Sequence, residues 1–446
     1  MKPSLAILAI LAIAGAAARA QVVPDVDRPK PLPVSGTLHY DLRYSQTAQI
    51  GDGQGNQQMS LASGDASYAN VGKRLPFSMQ YGGGYGWVWA GRPAAGNVFQ
   101  HLSLSQGLIG RAWSLTASDN VSYSFETPTT GFSGVPGSGE PIGGSGSTTT
   151  SDQTILALNT RTLDNLTTIG FGQRLNYAMG LNLEGSWGLM RFIDNNGANM
   201  STVAANAGVT RRLNARNSAS GQYSFSRYGY GVAGLTTQTN TAQFAFTRQW
   251  NRKLTTSAAA GPTWIASSGN SSSGGLSLPS STALSLNASA VYQLRGGAAS
   301  VSYSRGTSGG AGYLLGAKID SIGANYSRGF GRNLTVGFTG SFNSTTSLFA
   351  AELATTCPSG SSGDVCLIPL TFAPVTNARY GGAQATRNLG KYLSFFASYT
   401  AIDQSSNLQI AAPNTPSTYN ANILNGLNQV IGFGIGYSPR ETHLKQ

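Results

Sequence analysis

The chain has 446 residues and a formal net charge of +12, yet only 10% of its residues are charged, well below the roughly 25% of an ordinary soluble domain. It contains 58 Gly and 19 Tyr but only 2 Cys and 3 His. That composition excludes a disulfide-dense scaffold and leaves little material for a metal or nucleophile centre.

Residues 1–20 carry Lys2, an apolar run over 5–14 and the small-residue ending Ala18-Arg19-Ala20, the layout of a secretory leader cleaved before Gln21. The apolar run is shorter than the roughly 20 residues a membrane helix needs. Residues 21–34 are expected to form a Pro-rich linker ahead of the strands. From residue 35 onward the dominant signal is period-two alternation, which marks strands with one apolar face.

The first strand has Leu38, Tyr40, Leu42 and Tyr44 on one parity and Thr37, His39, Asp41, Arg43 and Ser45 on the other, so three ionisable groups share the polar face. A weak strand over 58–71 follows, then a strand whose apolar face is Phe77, Met79, Tyr81, Tyr85, Trp87 and Trp89. Strands are expected over 97–110 and 113–126. The segment 127–150, rich in Gly, Ser and Pro, reads as a long extracellular loop. A strand over 163–173 leads to one with Met179, Leu181, Leu183, Trp187 and Leu189 outward and Asn182, Glu184 and Ser186 inward.

Four strands follow over 201–213, 218–230, 236–250 and 254–267. Pro262 in the last removes a ladder donor and marks a bulge or the strand's outer end. Residues 284–294 alternate most cleanly, and further strands are expected over 298–307, 312–329 and 334–347. A long loop then holds Cys357 and Cys366, two strands flank Gly390-Lys391, and the polar loop 405–425 leads to a last strand in which Ile431, Phe433, Ile435 and Tyr437 alternate with glycines.

Between these strands one unit recurs: a tiny basic turn, as in Arg174-Leu175-Asn176, Arg212-Leu213-Asn214, Trp250-Asn251-Arg252, Leu294-Arg295-Gly296, Arg328-Gly329-Phe330-Gly331-Arg332-Asn333 and Leu389-Gly390-Lys391. Arg74, Arg174, Arg212, Arg252, Arg295, Arg332 and Lys391 therefore fall on one rim with almost no acidic neighbour. Two roles fit such a rim: pairing with anionic headgroups of the inner leaflet, or concentrating anions at a periplasmic mouth. Trp113 and Trp250 sit beside short turns, and Trp87, Trp89, Trp187 and Trp264 near the far strand ends, as two interfacial aromatic belts require.

The leader, the alternating strands, the short turns and the segment Ile431 to Tyr437 resemble those of Gram-negative outer-membrane β-barrel proteins, porin-like class. The fold expected is all-β: a transmembrane antiparallel up-and-down barrel of about 18 strands (16–18) over 35–440, with short periplasmic turns, longer extracellular loops and a short C-terminal tail over 441–446. Such barrels usually end on an aromatic residue, whereas this chain continues past Tyr437 to Gln446.

The resemblance implies an outer-membrane channel for passive diffusion of small hydrophilic solutes, reached by the general secretory route and inserted by the barrel-assembly machinery. An anion bias and a homo-oligomer are further expectations. The lumen residues expected to set selectivity are His39, Asp41, Arg43 and Glu184. The alternatives are an export or secretion barrel working with periplasmic partners, for example in polysaccharide export, and a structural or surface-display barrel. Cys357 and Cys366, close in one exported loop, are expected to form a disulfide. No enzyme activity, metal, cofactor or nucleic-acid partner is expected: His39, His101 and His443 belong to no nucleophile motif or ligand spacing, and export explains the basic balance better than nucleic acid does.

Overall fold

In the computed structural model the residues described are 35–51, 57–70, 74–90, 97–126, 160–193, 199–231, 235–268, 280–311, 314–348, 351–356, 362–369, 375–407, 425–439 and 442–445. The expected leader and linker, the loop 127–150 and Cys357 lie outside them, as does the side chain of Cys366, so the expected disulfide does too.

The strands are β1 (Ser35–Gly51), β2 (Gln57–Asn70), β3 (Phe77–Ala90), β4 (Asn97–Ile109), β5 (Trp113–Glu126), β6 (Thr160–Arg174), β7 (Met179–Phe192), β8 (Met200–Arg212), β9 (Asn217–Tyr230), β10 (Thr236–Gln249), β11 (Leu254–Ser268), β12 (Ser281–Leu294), β13 (Gly297–Ala311), β14 (Leu314–Phe330), β15 (Leu334–Ser347), β16 (Ala351–Thr356), β17 (Ser362–Pro369), β18 (Val375–Asn388), β19 (Leu393–Ser406), β20 (Gly426–Tyr437) and β21 (Thr442–Lys445). β1 to β15 and β18 to β20 each pair antiparallel with their neighbours in chain order, and β20 pairs back onto β1, which closes an 18-strand up-and-down barrel. Closure leaves no unpaired edge among these strands, the condition for a sheet to cross a membrane.

Side-chain parity follows from this register. Tyr81, Leu284, Val301, Phe338 and Ile435 are exposed on the outer wall, whereas inward positions carry mainly Ser, Thr, Asn, Gln and Gly. Inward hydroxyls and amides pair across strands: Thr241 with Thr263 at 2.8 Å and Ser257 with Ser289 at 2.7 Å. Among the described residues, a soluble-type apolar core is almost absent, because Ala378, Ile402 and Tyr380 form a small cluster on the inner wall instead.

The short turns share a device. Asn176 Oδ1 accepts from the backbone N–H groups of Ala178 and Met179, both at 2.8 Å, and Asn214 and Asn251 do the same for Arg216 with Asn217 and for Lys253 with Leu254. An Asx turn of this kind satisfies donors that a tight reversal strips from the ladder. Two other turns use glycine instead: Gly296 and Gly331 adopt φ of 78° and 65°, where a Cβ is strained.

The structure differs from the sequence reading at four places. β2 alternates poorly because its outward positions are the small Ala62, Gly64 and Ala66 while Leu61 points inward, yet it pairs with β1 along its whole length. Pro262 makes no bulge: Thr241 faces Thr263 and Phe244 faces Ala260 in one unbroken register, with rungs missing only in between. The loop after β15 contains its own hairpin, β16–β17. Finally, residues 442–445, expected as tail, form β21 and pair with Ser35 to Leu38 at the start of β1.

Candidate functional site: the lumen

Four inward ionisable residues, Asp41, Asp65, His101 and Asp164, share one rung of the ladder. Asp41 of β1 faces Asp65 of β2, Asp65 faces Gly82 of β3, Gly82 faces His101 of β4, His101 faces Ser122 of β5, and Ser122 faces Asp164 of β6. Two carboxyl groups directly opposite each other destabilise a sheet unless each finds a cationic or donor partner. Arg43, two residues along β1 and on the same face, meets Asp41 at 2.5 Å. Asp65 leans the other way: a Cβ built on Gly82 would lie 2.1 Å from Asp65 Oδ1 and 2.2 Å from His101 Cε1. The two side chains therefore meet over the space that glycine leaves open.

Beside this rung, at the short-turn end, lies a cavity of about 410 Å³ between β1–β3 and the strands β15 and β18 to β20, lined by His39, Asp41, Arg43, Asp65, Gln80 and Asn388 among others. His39 Nε2 lies 3.3 Å from Ser438 Oγ across the seam that closes the barrel, and its buried Nδ1 has no hydrogen-bond partner. Of the four expected lumen residues, His39, Asp41 and Arg43 are thus brought together. Glu184 is not with them: it points inward from β7, hydrogen-bonded to Asn206 of β8. The sequence reading missed Asp65 and His101 as lumen partners. The inward parity of His101 was legible beside outward Leu102 and Leu104, but β2 alternates too poorly to place Asp65, and their meeting depends on the register of β2, β3 and β4.

Further up the lumen the wall is not evenly open. β12 continues to Ser281, but its pairing with β13 stops at Leu286 and Arg305, while β13 and β14 stay paired to Ala311 and Leu314. The hairpin tip therefore leaves β12 and crosses to β8 and β9. There Tyr230 donates its hydroxyl to the Gly309 carbonyl at 2.7 Å, and a Cβ on Gly309 would come 2.4 Å from Tyr228 and 2.7 Å from Met200 Sδ. The inward side chains of Thr237, Thr239, Thr263 and Ile265 on the intervening strands are almost wholly buried. On the other side Ser45, Leu61, Asn343, Thr376 and Ile402 are buried as well. Asn120, Leu166, Asn206 and Gln222 on β5 to β9, the arc that also holds Glu184, are exposed inward side chains, as is Asn287 on β12.

The rim has the composition expected. Arg74, Arg174, Arg212, Arg252, Arg295, Arg332 and Lys391 are all exposed at the short-turn end, and among the described residues no acidic side chain lies in those turns. The cations also anchor the lower aromatic belt, with Arg248 3.9 Å over the Trp250 ring and Arg328 5.3 Å over Phe330. At the opposite end Trp87 packs with Tyr44, Tyr85 and Trp89, and Trp89 Nε1 donates to Ser60 Oγ at 2.7 Å.

No protein-family model matches the chain, and no curated protein is significantly similar to it in sequence. Among solved structures it is similar to the FrpB iron transporter from Neisseria meningitidis (TM-score 0.45, 9% identity, 90% of this chain and 81% of that one). It is also similar to OpdL of Pseudomonas aeruginosa (0.44, 11%, 92% and 99%) and to OccK2 of the same organism (0.44, 11%, 91% and 99%). Likenesses this distant say nothing of what this barrel carries. Its own strand register makes it a closed 18-strand antiparallel up-and-down β-barrel.

Proposed function

We propose that the protein is an outer-membrane channel for passive diffusion of small hydrophilic solutes. The observation that carries this reading is a closed barrel with an apolar outer wall and an inner wall of hydroxyls, amides and a few charges, which solvates a path without binding tightly. The leader would send the chain through the general secretory route and the barrel-assembly machinery would insert it. The short turns, the start of β1 and the end of β20 then face the periplasm.

The cationic rim supports an anion bias at the periplasmic mouth, since clustered like charges at an opening raise the local counter-ion concentration. The inward carboxyl groups of Asp41, Asp65 and Glu184 oppose it. Single-channel recording of the refolded protein in a planar bilayer, with reversal potentials in a salt gradient, tests both parts. Steady conductance with anion preference supports a channel governed by its rim, whereas cation preference assigns selectivity to the inward carboxyl groups. A folded barrel that does not conduct overturns passive diffusion, and the buried inner arcs would then favour an export or structural barrel.

A further inference from the structure

Besides the Arg305–Asp320 ion pair, the described outer wall carries a polar island in the midst of apolar residues. Asp119 of β5 shares the parity of Leu115, Val121 and Tyr123, and its rung runs Leu104–Asp119–Thr167–Trp187 across β4 to β7. The next rung is Leu102–Val121–Asn165–Leu189. Trp187 is exposed on this wall, so Asp119, Asn165 and Thr167 point outward with it and are framed by side chains that suit acyl chains. An ionisable group on a lipid-facing surface is costly and rare, and its presence needs a partner.

The island satisfies itself only in part. Asn165 Nδ2 donates to Asp119 Oδ1 at 3.0 Å, and Thr167 Oγ1 donates to the same oxygen at 2.7 Å. Asp119 Oδ2 accepts no hydrogen bond from any described residue, and the Asn165 amide has two N–H groups, of which one is used. Lipid tails offer neither donors nor acceptors. The missing complement, a second amide N–H aimed at a second carboxyl oxygen, is what the same island provides when turned about a two-fold axis.

We propose that the wall β4–β7 is a contact between two copies of this chain within the membrane, in which Asn165 of each copy donates to Asp119 of the other. Leu102, Leu104, Trp187 and Leu189 pack around this polar centre. The inference requires the outer wall to face lipid but does not require the lumen to conduct, so it stands or falls separately from the channel reading.

Subunit counting by single-molecule photobleaching of the full chain in lipid vesicles tests it. The wild type is expected to show two copies per spot, and the double substitution Asp119→Leu with Asn165→Leu is expected to weaken pairing at least about tenfold while its folded gel mobility stays unchanged. A second measurement guards against a trivial loss of folding. In a Cys357→Ser, Cys366→Ser background, oxidation of Val121→Cys should give covalent dimers, and oxidation of Val301→Cys, across the barrel on β13, should not. A wild type that stays monomeric at every protein-to-lipid ratio overturns the proposal. So does a double variant that pairs like wild type, or equal cross-linking of the two cysteine variants.

Discussion

Glycine matters in this lumen for what it leaves empty. Gly82 lies between Asp65 and His101, and Gly261 lies on the rung between Gln243 and Ser285, where the Gln243 amide donates to Ser285 Oγ at 2.6 Å. In both cases a residue without a side chain lets its two cross-strand neighbours reach each other. Replacing Gly82 with Ala should push the flexible ends of Asp65 and His101 apart without unfolding the barrel, because the atoms in the way are side-chain tips. The expected result is a shifted reversal potential with unchanged folded mobility on gels. Arg43→Gln should act through the same rung. Losing the cation paired to Asp41 exposes carboxyl charge to the cavity, and the reversal potential should move toward cation preference. An unchanged value would place Arg43 off the path of permeating ions.

Hairpins are the unit at which this chain was built, and their two ends behave differently. At the short end each Asx turn fixes register locally, so Asn214→Ala should remove two hydrogen bonds to the backbone and cost about 1 kcal/mol or somewhat more, measured as a lower urea midpoint for unfolding from lipid vesicles. At the long end the β13–β14 tip departs from its neighbour and is tied across the lumen by Tyr230. Gly309→Val would place a branched side chain against Tyr228 and Met200, forcing the tip away from β8 and β9. Single-channel conductance should rise if the tip narrows the path, and equal conductance would show that ions pass elsewhere. That departure was not legible beforehand. The run Gly309-Gly310 gives no periodicity to read, and a hairpin that leaves its sheet has the same local alternation as one that stays.

At the scale of the whole molecule, the closed ladder predicts a barrel that resists detergent until heated: the unheated and boiled protein should migrate differently on gels, and extraction should need detergent. A chain that stayed soluble without detergent would contradict the apolar outer wall. What the sequence determined by itself was the class of fold, the strand number, which parity faces lipid, and the basic rim. Each of these follows from local pattern, since a period of two assigns faces strand by strand and short turns carry their own hydrogen-bonding residues. What only the tertiary structure decided was the meeting of Asp65 with His101, the separation of Glu184 from the Asp41–Arg43 pair, the inward course of the β13–β14 tip and the pairing of 442–445 with β1. All of these depend on how far each strand is offset from the next around a closed ring. That offset is set by loop lengths and ladder closure over the whole barrel, and no single stretch of residues encodes it.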